Sequence, residues 1–172
     1  MDVSKEEVKI EMKYDYELSK TELNQIFILY NDIFYHNRVR KKDLIKKVKE
    51  QLGKSNIFQW VLLRELKSNK LIGMGSFIYD YSALSKPNIS KFDINESLKE
   101  NICNIAVDIS YRRRGYATLI MEKIISQRKD CLTLEVKKSS ENYQYLIKFY
   151  KKMGFVEYTE TNKSIYMRRE VK

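Results

Sequence analysis

From Val8 to Met12 the chain sets Val, Ile and Met against Lys and Glu in alternation, which predicts a half-buried first strand. Ser19-Lys20-Thr21-Glu22 has the form of a helix capping box. Leu23, Ile26, Phe27 and Tyr30 then recur at helical spacing, predicting a helix as far as Tyr35. A second helix is predicted from Lys41 to Leu52, stopped by Gly53. Phe58 to Leu66 and Leu71 to Tyr79 are apolar runs joined by the polar turn Lys67-Ser68-Asn69-Lys70, which reads as a hairpin. Gly73 and Gly75 fall inside the second of these strands. They mark a bulge, a close backbone approach, or small residues packed beneath a helix.

Residues 80–100 carry the least regular pattern, with Pro87, the chain's only proline, among serines, asparagines and acids. Such a long connection is a natural place for substrate specificity. Periodicity resumes with a buried strand over Ile102 to Val107. After an arginine-rich turn, Ile120, Met121, Ile124 and Ile125 mark a helix to about Arg128. Cys131 to Val136 is a further strand. Tyr143, Leu146, Ile147, Tyr150 and Met153 define a helix ended by Gly154, and Phe155 to Thr159 with Ser164 to Met167 form a closing hairpin. No linker, repeat or low-complexity segment divides the chain, so residues 1–172 are expected to make a single domain.

Composition narrows this picture. The 43% hydrophobic content fits a globular chain with a real core, and no apolar stretch approaches a membrane span. The charged start, Met1 to Glu7, lacks the apolar centre of a signal peptide. Cys103 and Cys131, the only cysteines, lie in apolar runs and read as buried free thiols in a reducing, cytoplasmic compartment. The net charge of +10 has two readings, a solvated lysine surface suited to a polyanionic cofactor or a nucleic-acid surface. The densest basic stretch, Arg38 to Lys49, also carries Leu44, Ile45 and Val48 at helical spacing. Its lysines then fall on the wet face, so nucleic acid stays open but is not favoured.

The candidate chemistry centres on Arg112-Arg113-Arg114-Gly115-Tyr116-Ala117, between a strand and a helix. The first turn of a helix has N–H groups without partners, and its dipole favours negative charge. Gly115 lets the backbone bend, Ala117 stays small, and three arginines add donors suited to phosphate oxygens. The expected ligand is a phosphate or pyrophosphate.

Arg112-x-x-Gly115-x-Ala117 resembles the acyl-CoA signature of the GNAT superfamily of N-acetyltransferases. The lead-in Ala106-Val107-Asp108-Ile109-Ser110-Tyr111 resembles that family's run from its fourth strand into the loop. Phe149-Tyr150-Lys151-Lys152-Met153-Gly154-Phe155 is similar to its Leu-Tyr-x-x-x-Gly-Phe ending. The resemblance implies an α/β fold with a mixed, mostly antiparallel central sheet of about seven strands flanked by about four helices. It also implies acetyl-CoA as co-substrate, no metal, and direct transfer to a primary amine in a ternary complex. That amine belongs to a small molecule such as a polyamine or amino sugar, or alternatively to a protein or peptide; a non-catalytic CoA-binding module and a homodimer stay open.

Residue by residue, the resemblance carries the pyrophosphate to the backbone N–H groups of Arg113, Arg114, Gly115, Tyr116 and Ala117 with Thr118 at the helix start, and it gives the arginine side chains, Arg112 included, either the pyrophosphate or the ribose phosphate. The pantetheine arm falls along Ile105, Ala106 and Val107, where a backbone N–H would polarise the thioester carbonyl. Tyr150 matches the tyrosine that meets the leaving thiolate; a core tyrosine is the competing reading. Family members often bind CoA with an asparagine seven residues before that tyrosine. Here position 143 is Tyr and Asn142 is one residue early, so CoA binding competes with helix capping. The base is Glu135, a water chain, or absent. Asp108 has a turn reading as well, and Asn104 stands where some relatives place an acid, although an amide takes no proton. His36, the only histidine, reads as surface or capping. Asp80, Asp93, Glu96 and Glu100 offer carboxylates for a cationic acceptor.

Overall fold

A computed structural model of the chain describes residues 7–35, 58–79, 100–128 and 131–170. Seven strands form one sheet in the order β1-β2-β3-β4-β5-β7-β6. In chain order the elements are β1 (Val8–Tyr14), α1 (Lys20–Tyr35), β2 (Phe58–Glu65), β3 (Leu71–Tyr79) and β4 (Glu100–Val107), followed by α2 (Tyr116–Ser126), β5 (Leu132–Lys137), α3 (Tyr143–Lys152), β6 (Val156–Glu160) and β7 (Ser164–Arg169). Every neighbouring pair is antiparallel except β4 and β5. The mixed, mostly antiparallel sheet is therefore as the resemblance implied, with three α-helices among the described residues. The second helix expected over Lys41 to Leu52, with Gly53, His36 and the basic stretch Arg38 to Lys49, lies outside them. So do Asp80, Pro87, Asp93 and Glu96.

The capping box at α1 is formed in full. Ser19 N donates to Glu22 Oε2 at 2.9 Å, and Glu22 N donates to Ser19 Oγ at 3.2 Å. The helix is tied to the sheet by a contact that the hydrophobic pattern did not forecast. Arg64 on β2, only 3% exposed, donates to Gln25 Oε1 at 2.5 Å and lies 3.4 Å from Glu22 Oε1. Lys13 Nζ meets the same Glu22 oxygen at 2.7 Å. Burial raises the pKa of Glu22, but the hydrogen bonds from Lys13 and Ser19 outweigh it and hold the carboxyl down at about 2. The buried guanidinium is further met by Glu11 Oε2 at 3.6 Å from Nε and by the Asn69 carbonyl at 3.1 Å from Nη1, so its charge does not rest on Glu22 alone.

Two apolar layers sandwich the sheet. On one face, Leu18, Ile26 and Leu29 pack with Trp60, Leu62, Met74 and Ala106. On the other, Ile120, Met121 and Ile124 of α2 and Tyr150 of α3 pack with Val61, Phe77, Ile102, Val107, Leu134 and Phe155. Ile120, Met121 and Ile124 are all 0% exposed, and burying each contributes roughly 1.5–3 kcal/mol. The bulge and helix-packing readings of the β3 glycines both hold. A Cβ on Gly75 would come within 2.7 Å of Ile105 Cδ1 and Ile120 Cγ2, and one on Gly73 within 3.0 Å of Ile120 Cδ1. The two positions thus let α2 sit close on the sheet. Gly75 also lies opposite an irregularity, since the β3–β4 register shifts between Met74 and Ser76. Cys103 and Cys131 are thiols, as expected, but half-buried rather than buried.

Gly75→Ala is expected to destabilise the protein by about 1–3 kcal/mol, because the side chains it meets are already close-packed. Urea or thermal unfolding against the parent chain checks this.

Candidate active site

Arg113 has φ 63° and Gly115 φ 82°, so the turn before α2 passes twice through the left-handed region. Glycine suits the second position for its backbone freedom rather than for space, since an added Cβ at Gly115 would meet nothing within 4 Å. Leu119 N donates to Gly115 O at 3.1 Å, the first bond of the helix ladder. Among the described residues, the N–H groups of Arg113, Arg114, Gly115, Tyr116, Ala117 and Thr118 find no backbone acceptor. This is a cluster of open donors at the positive end of a helix.

Two of the three arginines expected to supply phosphate donors also make contacts within the turn. Arg112 turns back and donates from Nε to Val107 O at 3.1 Å. Arg114 donates to Ser110 O at 3.3 Å and lies over the Tyr111 ring, 5.5 Å from its centroid. These two side chains brace the turn. Arg113 is exposed.

Further bracing comes from Asp108, for which the sequence offered a turn reading, and from Glu65, Lys70 and Tyr111, for which it offered no role. Tyr111 donates to Glu65 Oε1 at 3.1 Å, and Lys70 Nζ meets Asp108 Oδ2 at 2.8 Å. Ser110 N donates to Asp108 Oδ1 at 2.9 Å, so Asp108 takes the turn-building role. Burial raises its pKa, yet the bonds from Lys70 and Ser110 prevail and hold the carboxyl below its ordinary value. A polar turn and an aspartate after a strand were the only traces of this brace in the sequence.

β4 supplies the second half of the site. It pairs with β3 along nearly its whole length, but with β5 only through Glu100, Asn101 and Ile102. Beyond Ile102 the two parallel strands separate. Asp108 N donates to Ile72 O on β3 at 2.8 Å. Because backbone polar groups alternate sides along a strand, Ala106 then faces β3, while Ile105 and Val107 turn theirs to the other side, where Arg112 Nε already meets Val107 O. Of the three residues expected to line the donor arm, the alternation selects these two.

On the far side of the opening, Glu135 is exposed on β5 and accepts a hydrogen bond from Ser164 Oγ at 2.6 Å. Its neighbours Leu134 and Val136 point into the α2–α3 core, so Glu135 stands on the α1 face. Tyr150 is 8% exposed, and its ring meets Phe149 and Phe155 edge-on at 5.2 and 6.1 Å between centroids. Burial pushes its hydroxyl up to about 12. Asn142 precedes α3 but makes no side-chain cap, which removes the bland explanation for that residue without assigning another. Among the described residues, no group of three or more His, Cys, Asp or Glu could hold a metal ion, and no helix is long and apolar enough to cross a membrane.

A family model described as an acetyltransferase (GNAT) domain matches residues 55–157, more than half of the chain. The chain therefore belongs to the GNAT acetyltransferase family, and it is an N-acetyltransferase by class. No curated protein matches its sequence. Among solved structures it resembles an acyl-CoA N-acyltransferase from Pseudomonas aeruginosa, with TM-score 0.66 and 15% identity over 94% of this chain and 99% of that one. It also resembles the ribosomal-protein-S18-alanine N-acetyltransferase of Escherichia coli, with TM-score 0.62 and 18% identity over 95% and 94%. A third likeness is to a glucosamine N-acetyltransferase region of a fungal multi-domain beta-N-acetylglucosaminidase, with TM-score 0.64 and 15% identity over 89% of this chain and 17% of that one. At such identities the likeness is one of fold.

Gly115→Glu is expected to weaken acetyl-CoA binding by at least about 100-fold, since it sets a carboxylate against phosphates. Gly115→Asn, which tolerates the left-handed backbone, should bind far better than the glutamate variant. Titration calorimetry with acetyl-CoA on both variants checks the pair.

Proposed function

We propose that residues 1–172 act as one acetyl-CoA-dependent N-acetyltransferase domain that acetylates a primary amine of a small molecule. The observation that carries this reading is the continuity of two unmet sets of donors. The open N–H cluster at the start of α2 stands at the end of the unpaired β4 edge. An anion at the first and an extended amide-bearing arm along the second is the shape of an acyl-CoA, and both needs are backbone needs that the fold leaves unfilled.

When bound, acetyl-CoA supplies an activated acyl group. Arg113, Arg114, Gly115, Tyr116, Ala117 and Thr118 hold its pyrophosphate through their N–H groups, with Arg112 keeping the turn in shape. Ile105 and Val107 pair with the arm, and a backbone N–H there polarises the carbonyl. Asn142, exposed and free of a cap bond, is available to the same ligand.

Glu135 takes the proton that the amine must lose, its carboxylate steadied by Ser164. Tyr150 serves the leaving sulfur. With its pKa near 12 it lies above a thiol of about 8.5, so it stabilises the thiolate by hydrogen bonding rather than surrendering its proton. The two half-buried cysteine thiols suit a reducing cytoplasm.

Release of free thiol from acetyl-CoA, followed against spermidine, glucosamine, aminoglycosides and a lysine peptide, tests the function. Acetylation of a small amine at useful rates is expected. Preference for the peptide would move the acceptor to the protein class, and silence across the panel alongside tight CoA binding would leave only a binding module. With an active amine, Tyr150→Phe is expected to lower kcat about tenfold, the scale of one lost hydrogen bond, without altering acetyl-CoA affinity. An unchanged kcat returns Tyr150 to a packing role.

A further inference from the structure

Asn104 has φ 57°, a left-handed backbone in the middle of β4. It is the extra residue of a β-bulge, since Cys103 pairs with Ser76 and Ala106 pairs with Met74, leaving two residues of β4 opposite Gly75 alone. The bulge begins two residues past Ile102, the last residue of β4 that pairs with β5. It also resets which side chains face which core. Ile102 and Ile105, three positions apart, both pack in the α2–α3 layer, while Cys103 and Ala106 pack in the α1 layer.

The side chain of Asn104 is held in place. Its Nδ2 donates to Ser76 Oγ at 2.8 Å, and Ser76 is 0% exposed. Ser76 Oγ in turn lies 3.3 Å from Cys103 O and 3.2 Å from Cys103 Sγ. The amide therefore lies on the α1 side of the sheet, the same side as Glu135 across the opening. With its NH2 group engaged, its carbonyl oxygen Oδ1 is the acceptor left over, half-buried and without a hydrogen-bond partner among the described residues. A non-glycine residue in this conformation costs of order 1–3 kcal/mol, a strain that tends to collect at working sites. Asparagine is among the residues that tolerate it best.

We propose that Asn104 binds the acceptor, accepting an N–H of the attacking primary amine on Oδ1, and that buried Ser76 is the positioning residue that fixes the amide. This rests on the acetyl-transfer reading above. An amide takes no proton, so Asn104 orients the amine and leaves acid–base work to other groups. The balance is unchanged: the amine nitrogen bonds to the acyl carbon, the carbon–sulfur bond breaks, the nitrogen loses one proton, and the sulfur gains one. What Asn104 adds is direction, aligning the nitrogen lone pair with the carbonyl that the neighbouring β4 edge presents.

Glycine adopts the φ of Asn104 without strain, so Asn104→Gly removes the amide while preserving the bulge. Spermidine, glucosamine and a lysine peptide serve as acceptors, with thiol release as the readout and acetyl-CoA affinity measured separately by calorimetry. Asn104→Gly is expected to keep acetyl-CoA affinity within about twofold and to lose about tenfold in kcat/KM for the amine that the parent enzyme uses. Ser76→Ala is expected to raise KM for that amine about threefold or more, with KM for acetyl-CoA unmoved. Unaltered amine kinetics in Asn104→Gly overturn the proposal. Loss of acetyl-CoA binding in that variant also overturns it, by making the residue part of the donor scaffold. A parent enzyme that binds acetyl-CoA but acetylates no amine instead defeats the acetyl-transfer reading on which this one stands.

Discussion

A parallel pair of strands in the middle of a sheet normally shares its hydrogen bonds along its full length. Here β4 and β5 pair only through Ile102 and then part. The backbone beyond is held by β3 on one side and open on the other, so the sheet carries an unfilled edge at its own centre rather than at its rim. An unpaired edge in a sheet interior must be satisfied by something. The bulge at Asn104 starts the separation, the glycines of β3 allow α2 to close over that face, and the α2 turn caps the far end. Each of these features makes sense only because the two strands diverge.

Rigidity at the turn has a different origin. The open N–H groups before α2 can stay open only if the loop holding them does not collapse onto its own side chains. Arg112 on Val107 O, Arg114 on Ser110 O and Tyr111, and the Lys70–Asp108 pair hold it from behind. Two of three arginines in a motif that looks like a phosphate clamp thus act on the protein itself. The guanidinium forks suit carbonyl oxygens as well as they suit phosphate.

Much of the architecture was legible in advance because it is local. The Ser19–Glu22 capping box, the hairpin between β2 and β3, the stop at Gly154 and the helical face of Ile120, Met121 and Ile124 all depend on residues within a few positions of one another. The strand–turn–helix motif at Arg112 to Ala117 belongs to the same class. Less legible were contacts made across the sheet. Arg64 reaches α1 from β2, Glu65 reaches Tyr111, Ser164 reaches Glu135, and Ser76 reaches Asn104. Nothing in the spacing of these residues announces them. One faint sign existed, since Ile102 and Ile105 break the period of two within a strand, with an asparagine between them. Read that way, the bulge was visible.

The sequence by itself determined the order of the described elements, the family and the strand–turn–helix motif before α2, because periodicity, capping and a contiguous motif act over a few residues. Only the tertiary structure decided where β4 leaves β5, which arginines contact the turn itself, and which polar side chains stand together on the α1 face. Those outcomes are set by strand register and by partners far away along the chain, and such partners are chosen by packing.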